Sequence, residues 1–135
     1  MSRGTKFYKI IMKYIYTEKA PKVVGPYSQA IVSNGFIFCS GQIGIDPKTN
    51  ELVEGIEAQT QQVLKNLSEV LKAENSDLNH VVKTIVYLAN ITDYVRMNEI
   101  YGQYFTDHKP ARAAFAVAAL PKGALIEIEV IAEVT

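Results

Sequence analysis

An Asn34-Gly35 pair separates two short apolar runs, and this pair limits the possible folds more than any other local feature of the chain. Asn and Gly both tolerate the positive φ angles that the tightest two-residue turns require. The flanking runs, residues 28–33 and 36–40, contain the β-branched and aromatic side chains that favour strands. The sequence therefore predicts an antiparallel β-hairpin here.

Two helices are indicated further along the chain. Residues 57–74 carry apolar side chains at spacings of three and four, which predicts an amphipathic helix. This helix should end near Asn75, a residue that tolerates the left-handed conformation of a helix terminus. A second helix is expected to start at a cap supplied by Thr92 or Asp93 and to reach Phe105.

The remaining periodic segments are predicted to be strands. Residues 13–17, 112–118 and 125–134 each fit a strand, and 46–50 form a turn rather than a calcium loop. Residues 81–89 are apolar at odd and even positions alike, so we expect a central strand covered on both faces. Strands, helix, strand, helix and strands in this order predict an α+β fold with the helices on one face of the sheet.

The length and composition of the chain indicate its size class and disfavour several kinds of partner. At 135 residues the chain has the size of one domain, and its 14 basic and 14 acidic side chains cancel, which disfavours a general nucleic-acid surface. No run approaches the roughly 20 apolar residues of a membrane span, and no signal peptide is visible. The single Cys39 cannot form an internal disulfide, which indicates a reducing compartment, the cytoplasm.

Residues 1–11 are basic, contain no acid and precede a second methionine, Met12. Three explanations stay open: a non-native or alternative-start extension, an upstream extension of the first strand, or a weak organelle-targeting fragment. In the last case the location would be mitochondrial. The chain is accordingly divided into an N-terminal extension, 1–11, and one domain, 12–135.

The segment 109–132 is largely apolar and strand-forming, yet it carries Arg112 near its start and Glu127 on its far arm. Arg offers a planar fork of donors that fits a carboxylate, and a partly buried Glu can hold or activate water. Together they suggest a site for a small organic acid. Two ordinary roles stay open: a salt bridge for Arg112, and for Glu127 a place on the polar strand face beside Glu129.

Hairpin geometry opposes a direct meeting of these two residues. A tight turn at Pro121–Gly123 would set Arg112 opposite Glu133 rather than Glu127. Bringing Arg112 and Glu127 together therefore requires a longer connection or a neighbouring subunit.

Other kinds of site find little support. His80 and His108 are far apart, without a Cys pair or clustered carboxylates, so no metal site is predicted. Cys39 lacks a local partner base and is expected to be a buried thiol. Gly41 fits neither the dinucleotide fingerprint nor the P-loop.

The order and spacing of five short motifs closely resemble the RidA family, also called the YjgF family, over residues 12–135. The motifs are Gly-Pro-Tyr-Ser-Gln-Ala (25–30), Ser-Gly-Gln-Ile (40–43), Pro-Ala-Arg (110–112), Leu-Pro-Lys (120–122) and Ile-Glu-Ile-Glu (126–129). The resemblance implies a chorismate-mutase-like α+β fold, a mixed six-stranded sheet with two helices on one face, and a homotrimer with three clefts between subunits.

The resemblance also implies an activity: hydrolysis of reactive 2-enamine or 2-imino acids, such as 2-aminoacrylate and 2-iminobutyrate, to 2-keto acids and ammonia without a cofactor. Arg112 matches the family's carboxylate-binding Arg, and Glu127 the residue that orients or activates water. The backbone carbonyl of Ala114, where some members have Cys, would position the same water.

The same resemblance assigns the remaining cleft residues. Gly41 would offer its N–H to the substrate, and Tyr27 and Asn98 match cleft residues contributed by the adjoining subunit. Two other functions stay open: an endoribonuclease or translation inhibitor, and a noncatalytic trimer that binds small carboxylates or acts as a chaperone.

Overall fold

A computed structural model describes residues 11–135, which form one mixed six-stranded sheet, a separate two-stranded ribbon and two α-helices. The strands are β1 (Lys13–Ile15), β2 (Ala30–Ser33), β3 (Phe36–Ile43), β4 (Ile45–Asp46), β5 (Glu51–Leu52), β6 (Val81–Leu88), β7 (Ala111–Ala116) and β8 (Ile126–Glu133); the helices are α1 (Ile56–Lys72) and α2 (Tyr94–Tyr104). The segment 1–11 lies almost entirely outside the described residues, so its separation from the domain stays a prediction.

The sheet has the strand order β1-β2-β3-β8-β6-β7, and β4 pairs with β5 in the ribbon. All neighbouring strands of the sheet are antiparallel except β6 and β7, which run parallel. Both helices pack on one face. The predicted α+β class, mixed six-stranded sheet and one-sided helices are confirmed.

The predicted hairpin joins β2 to β3. Asn34 and Gly35 both have positive φ angles, 56° and 85°, and Ser33 pairs directly with Phe36 across the turn. These angles match the mirror-image turns that follow the right-handed twist of paired strands. The turn thus sets the β2–β3 register, and with it the side chains that β3 directs to each face.

Helix α1 carries the centre of the core. Its apolar stripe is fully buried against the sheet and comprises Val63, Leu64, Leu67, Val70 and Leu71. Burying one such side chain contributes about 1.5–3 kcal/mol relative to leaving it exposed. The helix ends two residues before the predicted limit, and Asn75 follows with a φ of 59°, as expected of a left-handed terminus.

Helix α2 begins directly after Asp93, as predicted, but neither candidate cap works as expected. Asp93 makes no side-chain cap and instead accepts a hydrogen bond from Arg96 at 2.7 Å. The preceding Asn90 accepts the N–H of Thr92 and so caps the short 3₁₀ turn that leads into the helix. Neither α-helix within residues 11–135 has the length and apolarity of a membrane span.

Strand β6 is internal, but the expectation that both of its faces are covered is wrong within one chain. Thr84, Val86 and Leu88 are fully buried beneath the helices, whereas Lys83 on the opposite face is exposed. We call this opposite side of the sheet the open face. It carries the aromatic side chains of Tyr14, Phe36, Phe38, Tyr87 and Phe115.

The tight hairpin considered for Pro121–Gly123 does not form. Strand β6 lies between β7 and β8, and a 3₁₀ turn at Pro121–Gly123 belongs to a longer crossing between them. Arg112 is consequently level with Thr84 and Val130 rather than with Glu133.

Candidate active site

The structure divides the predicted site residues between the two faces of the sheet. Side chains alternate along a strand, and Arg112 shares the helix-covered face with Thr84, while Glu127 shares the open face with Tyr87. The arginine half-site comprises Arg112 and Ala114 of β7 with Tyr94, Asn98 and Tyr101 of α2; the glutamate half-site comprises Tyr27, Gly41 and Glu127. One chain therefore does not bring Arg112 and Glu127 together.

Helix α2 holds the guanidinium of Arg112. Nη1 donates to Oδ1 of Asn98 and Nη2 donates to the hydroxyl of Tyr94, each at 2.8 Å. The ring of Tyr101 lies beneath the fork, 4.8 Å from Cζ to the ring centroid, and its hydroxyl bonds Thr84 Oγ1 at 2.8 Å. Asn98 thus contacts the Arg112 of its own chain.

The charge of Arg112 is not neutralised by an acid. No carboxylate among residues 11–135 lies within 4.0 Å of its nitrogens, whereas Arg96 of α2 pairs with both Asp93 and Glu57. Burial of an unpaired cation is costly, and an anionic ligand would relieve that cost. The ordinary salt bridge considered for Arg112 is therefore absent within the described chain.

Ala114 directs its backbone carbonyl to a free edge of the sheet. Val117, just past β7, donates its N–H to the carbonyl of Leu88 at 2.8 Å. Because successive residues of a strand turn their backbone groups to opposite sides, Ala113 and Phe115 face β6 and Ala114 faces away from it. The edge position of β7 leaves this carbonyl able to accept a hydrogen bond from water or a ligand.

In the glutamate half-site, the carboxylate of Glu127 lies directly over Gly41. A Cβ atom placed on Gly41 would lie 2.1 Å from Oε2 and 2.9 Å from Cδ of Glu127. Real atoms do not approach so closely, so only glycine lets the carboxylate adopt this position. Gly41 thus has a steric role: it leaves space for the carboxylate of Glu127.

Burial, and to a lesser degree the neighbouring charge of Glu129, raises the pKa of Glu127 above that of an ordinary carboxyl. Tyr87 donates its hydroxyl to Glu129, and this bond, together with burial, raises the pKa of Tyr87 to about 12. Glu127 is therefore a better proton acceptor than a solvated carboxylate would be, which suits a residue that activates water.

A cavity of about 460 Å³ lies in front of Glu127 and Gly41. Tyr27 and Ser40 line it with Lys122, a residue in the left-handed region with a φ of 58°, and Val24 adds apolar surface. None of Asn98, Arg112 and Ala114 lines this cavity. It therefore offers room and a base for a ligand, but no residue of the arginine half-site.

The sequence analysis did not identify Tyr94 and Tyr101. Together with Asn98 they occupy positions i, i+4 and i+7 of α2, so helical periodicity places all three on one face. The spacing of these three residues in the sequence predicts that they share a helix face. It does not predict that Arg112 lies beneath this face.

Cysteine and histidine were considered above as a nucleophile and as metal ligands, and their surroundings in the structure do not favour either role. Burial raises the pKa of Cys39 to about 12, so its sulfur stays a thiol rather than a nucleophilic thiolate. His80 bonds Asp77 at 2.8 Å within a 3₁₀ turn. No group of three or more His, Cys, Asp or Glu side chains suited to a metal occurs within residues 11–135.

Comparisons with known proteins extend over nearly the whole chain. The family model for endoribonuclease L-PSP matches residues 17–134. The chain is 52% identical over 124 residues to a 2-iminobutanoate/2-iminopropanoate deaminase of Homo sapiens, which covers 91% of this chain and 90% of that protein.

Solved structures of similar proteins have the same fold as this chain. A Rid family protein from Yersinia pestis superposes with a TM-score of 0.90 at 49% identity, over 92% of this chain and 100% of that one. The structure of E. coli TdcF with bound serine gives a TM-score of 0.87 at 33% identity, over 91% and 99%.

Proposed function

This chain belongs to the RidA family, and we propose that it is a hydrolase that deaminates 2-imino and 2-enamine acids, such as 2-iminobutanoate and 2-iminopropanoate, to 2-keto acids and ammonia. The observation that carries the proposal is the acid-free environment of Arg112. A half-buried guanidinium whose hydrogen-bond acceptors are neutral can receive the carboxylate that every such substrate contains. The serine-bound relative supports a ligand of this size and charge.

The chemistry needs positioning and one proton acceptor. Arg112 binds the substrate carboxylate and thereby places the imine carbon beside a water held by Glu127 and the Ala114 carbonyl. The water oxygen forms a bond to that carbon while Glu127 takes its proton. Glu127 returns this proton to nitrogen, which gives an adduct with one hydroxyl and one amino group on the same carbon. Glu127 then carries the hydroxyl proton to the amino nitrogen, the C–N bond breaks, and ammonia leaves as the carbonyl forms. An enamine first becomes the imine by losing a proton from nitrogen and gaining one at its β-carbon.

This mechanism requires Arg112 of one subunit to face Glu127 of another, in a homotrimer. The open face supports such an assembly, because Phe38 and Phe115 each leave 45% of their surface exposed and Tyr14 leaves 69%. Several large apolar side chains exposed on one face of a folded domain are typical of a protein–protein interface. Assembly would also cover the second face of β6.

The activity is tested by generating 2-iminobutanoate in place with a dehydratase and following 2-keto acid formation. Wild-type protein should accelerate the reaction, Arg112→Ala should lose that acceleration, and Arg96→Ala should keep it. Arg96 is the matched control because it is a more exposed arginine whose guanidinium is already paired with two acids, Asp93 and Glu57. No acceleration by wild-type protein would contradict the proposed function for these substrates.

Subunit mixing tests whether the site is shared. Arg112→Ala and Glu127→Gln chains, each inactive alone, are co-expressed with different tags, and assemblies carrying both tags are isolated. If every site joins two chains of a trimer, each assembly that carries both tags has both native residues in about a third of its sites, as cyclic symmetry requires. Activity that stays at the level of the single variants would contradict a shared site. Two differently tagged Arg112→Ala chains serve as the control.

An RNA-directed activity is not favoured, although the matching family model is described as an endoribonuclease. One groove is lined by Lys19, Lys48, Lys65 and Lys72, but Glu18, Asp46 and Glu69 line the same groove. Mixed charges of this kind do not make the continuous basic surface that binds a phosphate backbone.

A further inference from the structure

Arg112 is fixed in three directions by α2. Tyr94 and Asn98 accept from different terminal nitrogens, Nη2 and Nη1, so both arms of the fork are restrained. Tyr101 supports the flat face of the guanidinium, and the ring of Tyr101 is itself held by Thr84 and by packing against Phe105, 4.7 Å between centroids. The plane of the guanidinium and its rotation within that plane are thus both determined.

All three side chains that contact the guanidinium of Arg112 are uncharged. A carboxylate in the place of Asn98 or Tyr94 would hold the guanidinium at least as firmly, since ion-paired hydrogen bonds are the stronger kind. It would also cancel the positive charge that a substrate carboxylate needs. Arg96 of α2 gives the contrast, because its guanidinium pairs with two carboxylates, those of Asp93 and Glu57.

We propose that Tyr94 is a positioning residue for Arg112, and that Tyr94, Asn98 and Tyr101 form a neutral cradle that orients the guanidinium while leaving its charge free for a ligand carboxylate. The identity of that ligand rests on the proposed function, but the cradle does not. The hydroxyl of Tyr94 is the part of the cradle that can be removed with the smallest change.

The first test compares Tyr94→Phe with Tyr104→Phe. Both remove one hydroxyl from α2, but Tyr104 makes no hydrogen bond to Arg112 within the described residues and lines the lysine-containing groove. Loss of a hydrogen bond to a charged group predicts a rise of about tenfold in KM for Tyr94→Phe. The value of kcat should change little, because the carboxylate is bound in substrate and transition state alike. Tyr104→Phe should match wild type.

The second test is Asn98→Asp. A merely structural cradle would be strengthened by the new ion pair. The neutral cradle predicts instead that affinity for the product 2-oxobutanoate, measured by calorimetry, falls by at least about tenfold while the melting temperature is kept or raised. Wild-type affinity in Asn98→Asp would overturn the claim that neutrality matters.

A third measurement separates this inference from the proposed activity. Nitrogen-detected NMR follows rotation of the Arg112 guanidinium about its Cζ–Nη bonds, which should be slow in wild type and faster in Tyr94→Phe. If wild-type protein hydrolyses no imine and yet Tyr94→Phe loosens Arg112 and weakens 2-oxobutanoate binding, the activity fails and the cradle stands. If Tyr94→Phe equals Tyr104→Phe in both rotation and binding, the cradle is overturned.

Discussion

The two half-sites present opposite charges and are built in opposite ways. Arg112 is oriented by side chains that reach it from a neighbouring helix, whereas Glu127 owes its position to a side chain that is missing, at Gly41. The contacts that hold Arg112 can be removed one at a time, so its position can be weakened in steps. The space that Glu127 occupies over Gly41 is lost when a single methyl group is added to Gly41. The two half-sites should therefore respond very differently to small substitutions.

The largest effect is expected for Glu127→Gln, which keeps the shape of the side chain and removes the proton acceptor. We expect a fall in kcat of about 10²–10⁴, the usual range for a general base. Stability should not fall: since burial raises the pKa of Glu127 in the fold, the ionised carboxylate disfavours the folded state above that pKa. Keto-acid formation and thermal melting measure the two effects, with Glu133→Gln, at the exposed end of β8, as the control. Wild-type activity in Glu127→Gln would remove Glu127 from the mechanism.

Gly41→Ala should come next, with a loss of about 10² in kcat/KM, because a displacement of the carboxylate by about 1 Å is enough for that cost. Gly102→Ala is the matched control, since a Cβ at Gly102 meets nothing within 4 Å. The control should be active and stabilised by about 0.5–1 kcal/mol, as expected of alanine in a helix. Equal activity in the two alanine variants would show that the space above Gly41 is not needed.

Arg112→Lys should have a smaller effect than either change at the glutamate half-site. Lysine keeps the charge but loses the planar fork, so we expect kcat/KM to fall by about 10- to 100-fold. The loss should lie mainly in KM. Arg96→Lys provides the control, because Arg96 is more than half exposed and lysine keeps the positive charge that pairs with Asp93 and Glu57. A fall in kcat alone would indicate a role other than carboxylate binding.

The smallest effect is a shift in pH dependence. Glu127 accepts a proton only as a carboxylate, so kcat/KM should fall as the pH drops through its raised pKa. Glu129→Gln removes the neighbouring charge, lowers the pKa of Glu127 and should move this acidic limb to lower pH. Gln keeps an oxygen that can accept the hydroxyl of Tyr87. A pH profile measured with excess generating enzyme tests this, and an unmoved limb would exclude coupling between the two carboxylates.

Local sequence patterns predicted most of the secondary structure. The Asn34-Gly35 turn, the apolar stripe of α1 and the left-handed Asn75 each depend on neighbouring residues alone, and each was found. The double-sided burial expected for β6 was not found in one chain. The apolar residues at odd and even positions of β6 do not by themselves distinguish a face covered by the same chain from one left open in it.

The site was harder to predict than the fold. The residue types and their positions indicated Arg112 and Glu127 as candidate site residues. The family resemblance then predicted that the two act in one site. It gave no indication that Tyr94 and Asn98 would hold the arginine of their own chain. These contacts depend on the packing of α2 over β7, which no local pattern records.

The sequence by itself determined which residues alternate, where the chain turns and which charged groups stand in apolar surroundings, because these properties arise between neighbours along the chain. Only the tertiary structure decided that β6 lies between β7 and β8, and that Arg112 and Glu127 consequently belong to opposite faces of the sheet. Alternation fixes the relative side of two residues within one strand. The order of strands is set by long-range pairing, and that order divides the site in two.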